Sequence, residues 1–544
     1  MKEVFIVPKP EKLDFSGRWF VFDGFTEFPE FIAREFSVPK GKWKISKIDR
    51  KGTGVKVREK EVTIWGNETL CYATILQIMR QCKCYMPEIE ASEVLKFEFR
   101  GYHLDIARGG VPKVATFKRI LRWLFLLKYN YFAIYFEDLF PWKKYPQTGR
   151  HRGRLTEDEL KEIVSYGKNL GIEVFPSLEL SGHMEHILSL PEFQNFSEWH
   201  RPSEGCLDLS NREATEFAYN LLKEAVESST KYIHIGGDET WALGRGKSLN
   251  KSWKFEGPAL YELHHRNMVE IVKKARKNPI LWGDMISGMY LSGDATKWAE
   301  AIESPIWKEV LVANWDYDAR SLQQFKEKIK IFQDRGIQQI AAPGLSNWNK
   351  YYPNFKIALE NLKNFLIAAR ETNLQGFMIA AWGDDGEECL FSLLEPLILA
   401  AMEFAEGGIE WQEKWMAITG EDESILRARI LFGDPSISEL LKHVVFKDFW
   451  FNRLTPENKE ETKSHWKKIL METKHAHLPR DLDFIRRLLE TGVKILNNDA
   501  KVSDFIVLSN LYFRLWLGER KPEGLVTILQ RFWGAAGRED MKLA

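Results

Sequence analysis

The 544-residue sequence has no apolar run near the roughly 18 residues that a membrane-spanning helix needs. It has no excess charge of either sign. Lys plus Arg and Asp plus Glu each number 77, and the isoelectric point is near 7.2, which argues against nucleic acid or an anionic membrane as partner. Cysteine is scarce and scattered, at Cys71, Cys82, Cys84, Cys206 and Cys389. The Cys82/Cys84 pair has no second pair to complete a four-ligand zinc site, so the five read as reduced thiols and no metal or cofactor is expected. The opening stretch carries charges at Lys2, Glu3, Lys9, Glu11 and Lys12, which leaves no room for the roughly 7–15 apolar residues of a secretory signal. A cytoplasmic protein acting on a small, neutral ligand is the expectation. No low-complexity tract or linker appears, so the domains should pack directly on one another.

What the sequence does have is length and aromatics. A chain this long implies two to four domains, one of them large. Aromatics make up 13%, with 20 Trp, whose flat faces and N–H groups suit sugar rings. Residues 1–97 mix short β-type runs at 4–7, 43–48 and 62–65 with a helical pattern at 70–83, which predicts a small non-catalytic α/β domain. From 98 to 400 one unit repeats, a short β-rich run followed by an amphipathic helix. The runs are 98–107, 131–136, 172–179, 232–237, 279–283, 310–315, 337–343 and 376–382. Helical patterns follow the first, second, third and seventh of these, and Thr156 with Glu159 forms a capping box at the start of the second. Eight such units predict an α/β fold, a (β/α)8 TIM barrel. Residues 401–544 show only helical spacing, as in 424–432, 436–446, 481–498 and 502–517, and predict a C-terminal helical domain with a frayed tail after Arg531.

In such a barrel the chemistry sits at the C-terminal ends of the strands. The residues there are Asp105 and Arg108, Glu137 and Asp138, Glu179 and His183, Asp238 and Glu239 on the first four strands. Trp282 and Asp284, Asn314 to Tyr317, Trp348 and Tyr351, and Trp382 with Asp384 and Asp385 follow on the last four. Carboxylates, one Arg and several Trp make a carbohydrate pocket: charged partners for hydroxyls and flat walls for a ring. The most specific stretch is HIGGDETW at 234–241, where two glycines leave room for close approach by a ligand before the adjacent acids.

HIGGDE resembles the catalytic signature of glycoside hydrolase family 20 β-N-acetylhexosaminidases. RGYHLDIAR at 100–108 is similar to that family's first barrel strand, SGHMEHIL at 181–188 to its third-strand loop and AAWGDDGEE at 380–388 to its eighth-strand motif. YFEDLFPW at 135–142 resembles the second-strand loop of the intracellular branch and departs from the HxxDD pattern of the lysosomal and chitin-processing enzymes. The resemblance spans about residues 1–400. It implies exo-acting, retaining, substrate-assisted hydrolysis of terminal β-linked GlcNAc or GalNAc, an exception to the two-carboxylate scheme. Glu239 would be the acid and base, and Asp238 would hold the acetamido N–H. Arg108 would bind the 3- and 4-hydroxyls, and Asp384 the 4- or 6-hydroxyl. Trp282, Trp315 and Trp382 would box the acetamido methyl and floor the ring, with Trp348 an undecided fourth. Tyr351 is the first choice for the acetamido oxygen and Tyr317 the second, while Asp138 and His183 would support Glu239 and the rim. The partner would be a small oligosaccharide or glycoside.

Blander readings stand beside these. Asp238 and Glu239 also suit a helix N-terminus, and Arg108 could be a structural ion-pair partner of Asp105 or Asp138. His103 and His234 read as core residues, Cys82 and Cys84 as packing residues. A metal-dependent barrel hydrolase would use His103, Asp105, His183 and His234, but strand 1 carries HLD in place of HxH. A non-catalytic sugar-binding protein would not need Glu239. A C-terminal helical domain could cover the pocket, brace the barrel or pair with a second subunit as a homodimer.

Overall fold

The computed structural model describes residues 3–288, 298, 300–448 and 451–541. The N-terminal region is a five-stranded sheet in the order β1-β5-β3-β4-β2, from β1 (Lys12–Val21), β2 (Lys44–Lys47), β3 (Thr53–Arg58), β4 (Glu61–Trp65) and β5 (Tyr85–Glu93). Burial alternates along β5, so one face turns inward. That face meets the helix Glu68–Cys82, whose other side packs on helices Val114–Leu126 and Trp411–Thr419. Contacts on both sides explain why an apolar helix carries so weak an amphipathic pattern.

The run at 4–7, expected as a strand, is not one. Its backbone groups pair with side chains of the helix instead. Gln77 accepts from the Val7 N–H at 2.8 Å and donates to the carbonyls of Val7 at 2.7 Å and Leu126 at 2.6 Å, while Gln81 accepts from the Phe5 N–H at 2.9 Å. The strands β1, β3 and β5 were not among the sequence expectations. Cys82 ends its helix buried, whereas Cys84 lies beyond it, exposed, and is not a packing residue.

The eight predicted strands form a closed parallel barrel. They are β6 (Phe99–Asp105), β7 (Tyr131–Tyr135), β8 (Glu173–Ser177), β9 (Tyr232–His234), β10 (Asn278–Trp282), β11 (Leu311–Trp315), β12 (Gln339–Ala342) and β13 (Gly376–Ala381). Closure runs through β13 and β6, paired from Gly376 with Phe99 to Ala381 with Leu104. Side chains fill the interior in layers. At the bottom Phe99 stacks on Tyr131 at 4.1 Å and meets Tyr232 edge-on at 5.4 Å. Above them His103, His234 and Trp282 pack together, with Trp282 4.3 Å from His234 and 5.2 Å from His103. The barrel is therefore plugged, and a ligand can enter only at the upper end.

The capping box at Thr156 and Glu159 is formed. After β13 the buried helix Glu395–Ala405 leads into helices Trp411–Thr419, Glu423–Phe432, Pro435–Phe446, Pro456–Thr473, Arg480–Leu496, Val502–Glu519 and Leu525–Met541. The tail expected to fray after Arg531 is helical to Met541, because Phe532 and Ala535 are buried in this helical core. No described helix is long and apolar enough to cross a membrane.

Gln77 supplies a testable point. Replacing it with Ala strands three buried backbone groups and is expected to destabilise the protein by about 1–3 kcal/mol, read as a lower urea midpoint, while turnover at the distant barrel mouth stays unchanged.

Candidate active site

Past the strand ends, Glu137 (φ 44°), His183 (φ 48°), Glu239 (φ 48°) and Asp384 (φ 43°) adopt left-handed backbone. Each such residue costs on the order of 1 kcal/mol and persists only where its surroundings fix it. The cost re-aims the side chains toward a common point. Asp284, just beyond β10, fixes one of them by accepting the Glu239 N–H at 2.9 Å and, with its other oxygen, the Trp315 indole N–H at 3.1 Å.

His183, Glu239 and Asp384 line a cavity of about 550 Å³ at the upper end of the barrel. One edge carries Asp238, Glu239 and His183, and His183 Nε2 stands 3.4 Å from Asp238 Oδ2 and 3.5 Å from Glu239 Oε2. Opposite, Arg108 is held by Glu137 at 2.7 Å and Asp384 at 3.4 Å, with Asp105 at 3.9 Å. The wall is aromatic. Trp382 donates its indole N–H to the Tyr317 hydroxyl at 2.7 Å, and Tyr317 stacks on Trp315 at 4.8 Å and faces Trp348 at 5.3 Å. Gly344 makes this stack possible, since a Cβ there would lie 2.5 Å from the Tyr317 ring. Asp316, Asp318 and Arg320 complete the lining, Arg320 bonding both acids at 2.7 and 2.9 Å.

The charges sort themselves by neighbour. Burial raises Asp238, but the charge and hydrogen bond of His183 outweigh it and hold its carboxyl below the ordinary value. Glu179, buried beside Asp238, is pushed well up by burial and then by the Asp238 charge, so it carries a proton. Burial also lifts Glu137 to about 7, against the pull of Arg108. Asp284 rises to about 7 through burial and the Asp238 charge, and Asp384 to about 6 through burial opposed by Arg108. The cavity thus presents an ionised Asp238 beside a half-buried Glu239 that solvent and ligand can both reach.

Of the residues expected from sequence, Arg108, His183, Asp238, Glu239, Trp315, Tyr317, Trp348, Trp382 and Asp384 line this cavity. Three do not. Tyr351, the first choice for the acetamido oxygen, packs among Phe446, Phe484, Tyr512 and Phe532 in the C-terminal helical core, leaving Tyr317 as the cavity tyrosine. Asp138 turns away to pair with Arg152. Trp282 is fully buried beneath the cavity in the His103–His234 layer, its ring 5.7 Å from that of Trp382. The glycines of HIGGDE also serve a different purpose: a Cβ at Gly236 would strike Glu179 at 2.4 Å and one at Gly237 the Tyr261 hydroxyl at 2.6 Å, so they admit protein side chains.

Sequence reasoning gave no role to Glu137 or Asp284. A signal existed in the period of two, because inward Tyr135 and Trp282 place residues 137 and 284 on the same side. His103 and His234 are core residues, His103 Nε2 3.1 Å from the Ser177 hydroxyl and His234 Nδ1 accepting the Gly236 N–H at 3.0 Å. Their burial depresses both imidazoles, and both rings are packed against Trp282 in the layer beneath the cavity. Glu137, His183 and Glu185 bring one donor atom each within 4.8 Å, but Arg108 already supplies the countercharge to Glu137.

Comparison with known proteins places this geometry in context. The family model described as glycosyl hydrolase family 20, catalytic domain, matches residues 97–346. Hexosaminidase D of Bos taurus is 26% identical over 216 residues, 38% of this chain and 61% of its own length. Hexosaminidase D of Homo sapiens is 27% identical over 231 residues, 41% of this chain and 46% of its own. The match therefore spans less than two thirds of either relative. The crystal structure of beta-N-acetylhexosaminidase from Bacteroides fragilis NCTC 9343 superposes with a TM-score of 0.58 at 20% identity, covering 73% of this chain and 90% of that one, a likeness of fold.

The His183–Asp238 contact can be tested directly. Burial lowers the imidazole, but the Asp238 charge with the Asp238 and Glu239 hydrogen bonds holds it well above 6.5. A raised histidine contributes stability that is complete below about 6.5 and is lost as pH rises through the folded-state value. NMR titration of His183 in Asp238→Asn should show its midpoint falling, as burial and the Arg108 charge take over; an unchanged midpoint would mean that Asp238 is not the cause.

Proposed function

We infer that this chain, whose residues 97–346 belong to glycosyl hydrolase family 20, is an exo-acting, retaining β-N-acetylhexosaminidase that releases terminal β-linked GlcNAc, and GalNAc in the same site, from small intracellular glycosides. The observation that carries this reading is the adjacent pair Asp238 and Glu239, presented together at one edge of a cavity whose other edge is the Arg108–Asp384 pair and whose wall is indole and phenol.

The chemistry follows from placement. The substrate's 2-acetamido oxygen attacks the anomeric carbon as Glu239 gives its proton to the departing glycosidic oxygen, and an oxazolinium ion forms. Asp238, ionised, accepts the acetamido N–H and offsets the positive charge that grows there; it is itself buried, which strengthens its field on the substrate. Tyr317 is the phenol placed for the acetamido oxygen, and Trp315 and Trp382 flank it. Water then attacks the anomeric carbon from the side the aglycone left, breaking its bond to the acetamido oxygen so that the ring opens back to the 2-acetamido group, and gives its proton to Glu239, so configuration is retained. Arg108 and Asp384 bind the hydroxyls of the terminal ring. A substituent on those hydroxyls would remove the O–H groups that meet Arg108 and Asp384 and would have to displace that pair, which favours an exo site.

Hydrolysis of p-nitrophenyl β-GlcNAc, β-GalNAc and β-glucoside tests this. Turnover is expected on the two acetamido sugars alone, unaffected by EDTA, and reduced about 10²–10⁴-fold in Glu239→Gln; turnover of the glucoside, or an active Glu239→Gln, overturns the reading. The pH dependence supplies a second check. Asp384 loses its charge as pH falls through about 6, so KM should rise on that acid limb, and Asp384→Asn should abolish the limb.

A further inference from the structure

Asp384 and Arg108 sit on two different loops, and both loops are gripped by the same pair of C-terminal helices. The loop after β13 carries Asp384 between Gly383, whose N–H donates to Asp105 at 2.9 Å, and Gly386, where a Cβ would meet Ile528 Cδ1 at 2.8 Å. Arg531, on helix Leu525–Met541, donates from Nη2 to the Asp385 carbonyl and carboxylate at 3.3 Å each, and from Nη1 to the buried Glu388 carboxylate. Lys442 reaches the same Glu388 oxygen at 2.5 Å, and the Tyr512 hydroxyl donates to the Glu388 carbonyl at 2.7 Å. On the Arg108 side, Lys521 N–H donates to the Val111 carbonyl at 2.8 Å, and a Cβ on Gly524 would lie 1.8 Å from the Gly109 carbonyl oxygen. Neither loop can shift without disturbing the helical pair.

We propose that Arg531 is a positioning residue for sugar recognition, setting Asp384 against Arg108 by fixing Asp385 and Glu388, the residues that lead the chain out of the Asp384 turn. The proposal rests on the hexosaminidase reading and extends it by giving the C-terminal helices a part in substrate binding. Asp384 holds left-handed backbone (φ 43°), a conformation that a turn abandons when its flanks are released. The Arg531 bonds to the residue after Asp384 and to the residue four beyond it are the flank on the solvent side. Arg531 touches no cavity residue, so its loss would act on binding through geometry alone.

The test compares Arg531→Met and Arg531→Lys with Lys447→Met, which removes the 2.8 Å Lys447–Glu539 pair from the same helix without touching the β13 loop. On p-nitrophenyl β-GlcNAc, Arg531→Met should raise KM about tenfold with kcat within about threefold of wild type. Arg531→Lys should recover part of the loss, and Lys447→Met should lower thermal stability while leaving KM as in wild type. Asp385→Ala, at an exposed position, gives the same KM signature in smaller measure if Arg531→Met does not fold. A KM in Arg531→Met, or in Asp385→Ala where it stands in, equal to that of wild type overturns the proposal. Should wild type itself hydrolyse no acetamido sugar, the activity reading fails instead. The crystal structure of Arg531→Met or Asp385→Ala then decides the positioning role: Asp384 drawn away from Arg108 supports it, and the 3.4 Å contact intact overturns it.

Discussion

Two half-buried cations, Arg108 and His183, make the upper end of this barrel tenable. Asp105, Glu137, Glu179, Asp238, Asp284 and Asp384 converge there with little water to screen them. So many acids cannot all ionise in one desolvated space, and the arrangement survives by dividing them. Asp238 keeps its charge because His183 faces it, whereas Glu179 keeps its proton because it is buried and stands beside the Asp238 charge. Across the cavity, Arg108 opposes the burial that raises Glu137 and Asp384 without cancelling it. The result is one reliably negative group beside one reachable carboxyl, the division of labour that an adjacent acid pair needs.

The rest of the molecule supplies rigidity for that division. The aromatic layers beneath the cavity fix its floor, Gly344 opens the slot into which Tyr317 stacks, and Asp284 ties the Glu239 backbone to the Trp315 indole. The C-terminal helices, which contribute no residue to the cavity lining, reach the loops of both Arg108 and Asp384.

The barrel was legible in the sequence because its strands are short, apolar and regularly spaced, and all eight appear with ends shifted by a few residues. The N-terminal strands β1, β3 and β5 were harder, since polar residues on their outer faces and glycines at 17 and 54 blur the alternation. The acid pair, Arg108 and Asp384 were legible from motif and strand-end position together. Tyr351 and Trp282 show where that logic stops. Tyr351 follows β12 on a loop that turns into the helical core, and Trp282 lies on the last residue of β10, still inside the barrel wall. Position along the chain fixes which strand a residue follows, but not how deep its side chain reaches. The Arg531 contacts, some 145 residues from the loop they hold, leave no local pattern at all.

The four left-handed residues have a consequence for how such a site is kept through descent. At positions 137, 183, 239 and 384 the backbone itself would be more comfortable with glycine or asparagine. Random substitution that relaxed any of them would ease the backbone there, while removing a carboxyl or imidazole that the charge pairing of the cavity and the substrate both use. Selection for turnover therefore has to oppose selection for a stable fold at the same four codons, and a lineage released from its substrate should lose these residues earlier than it loses the barrel.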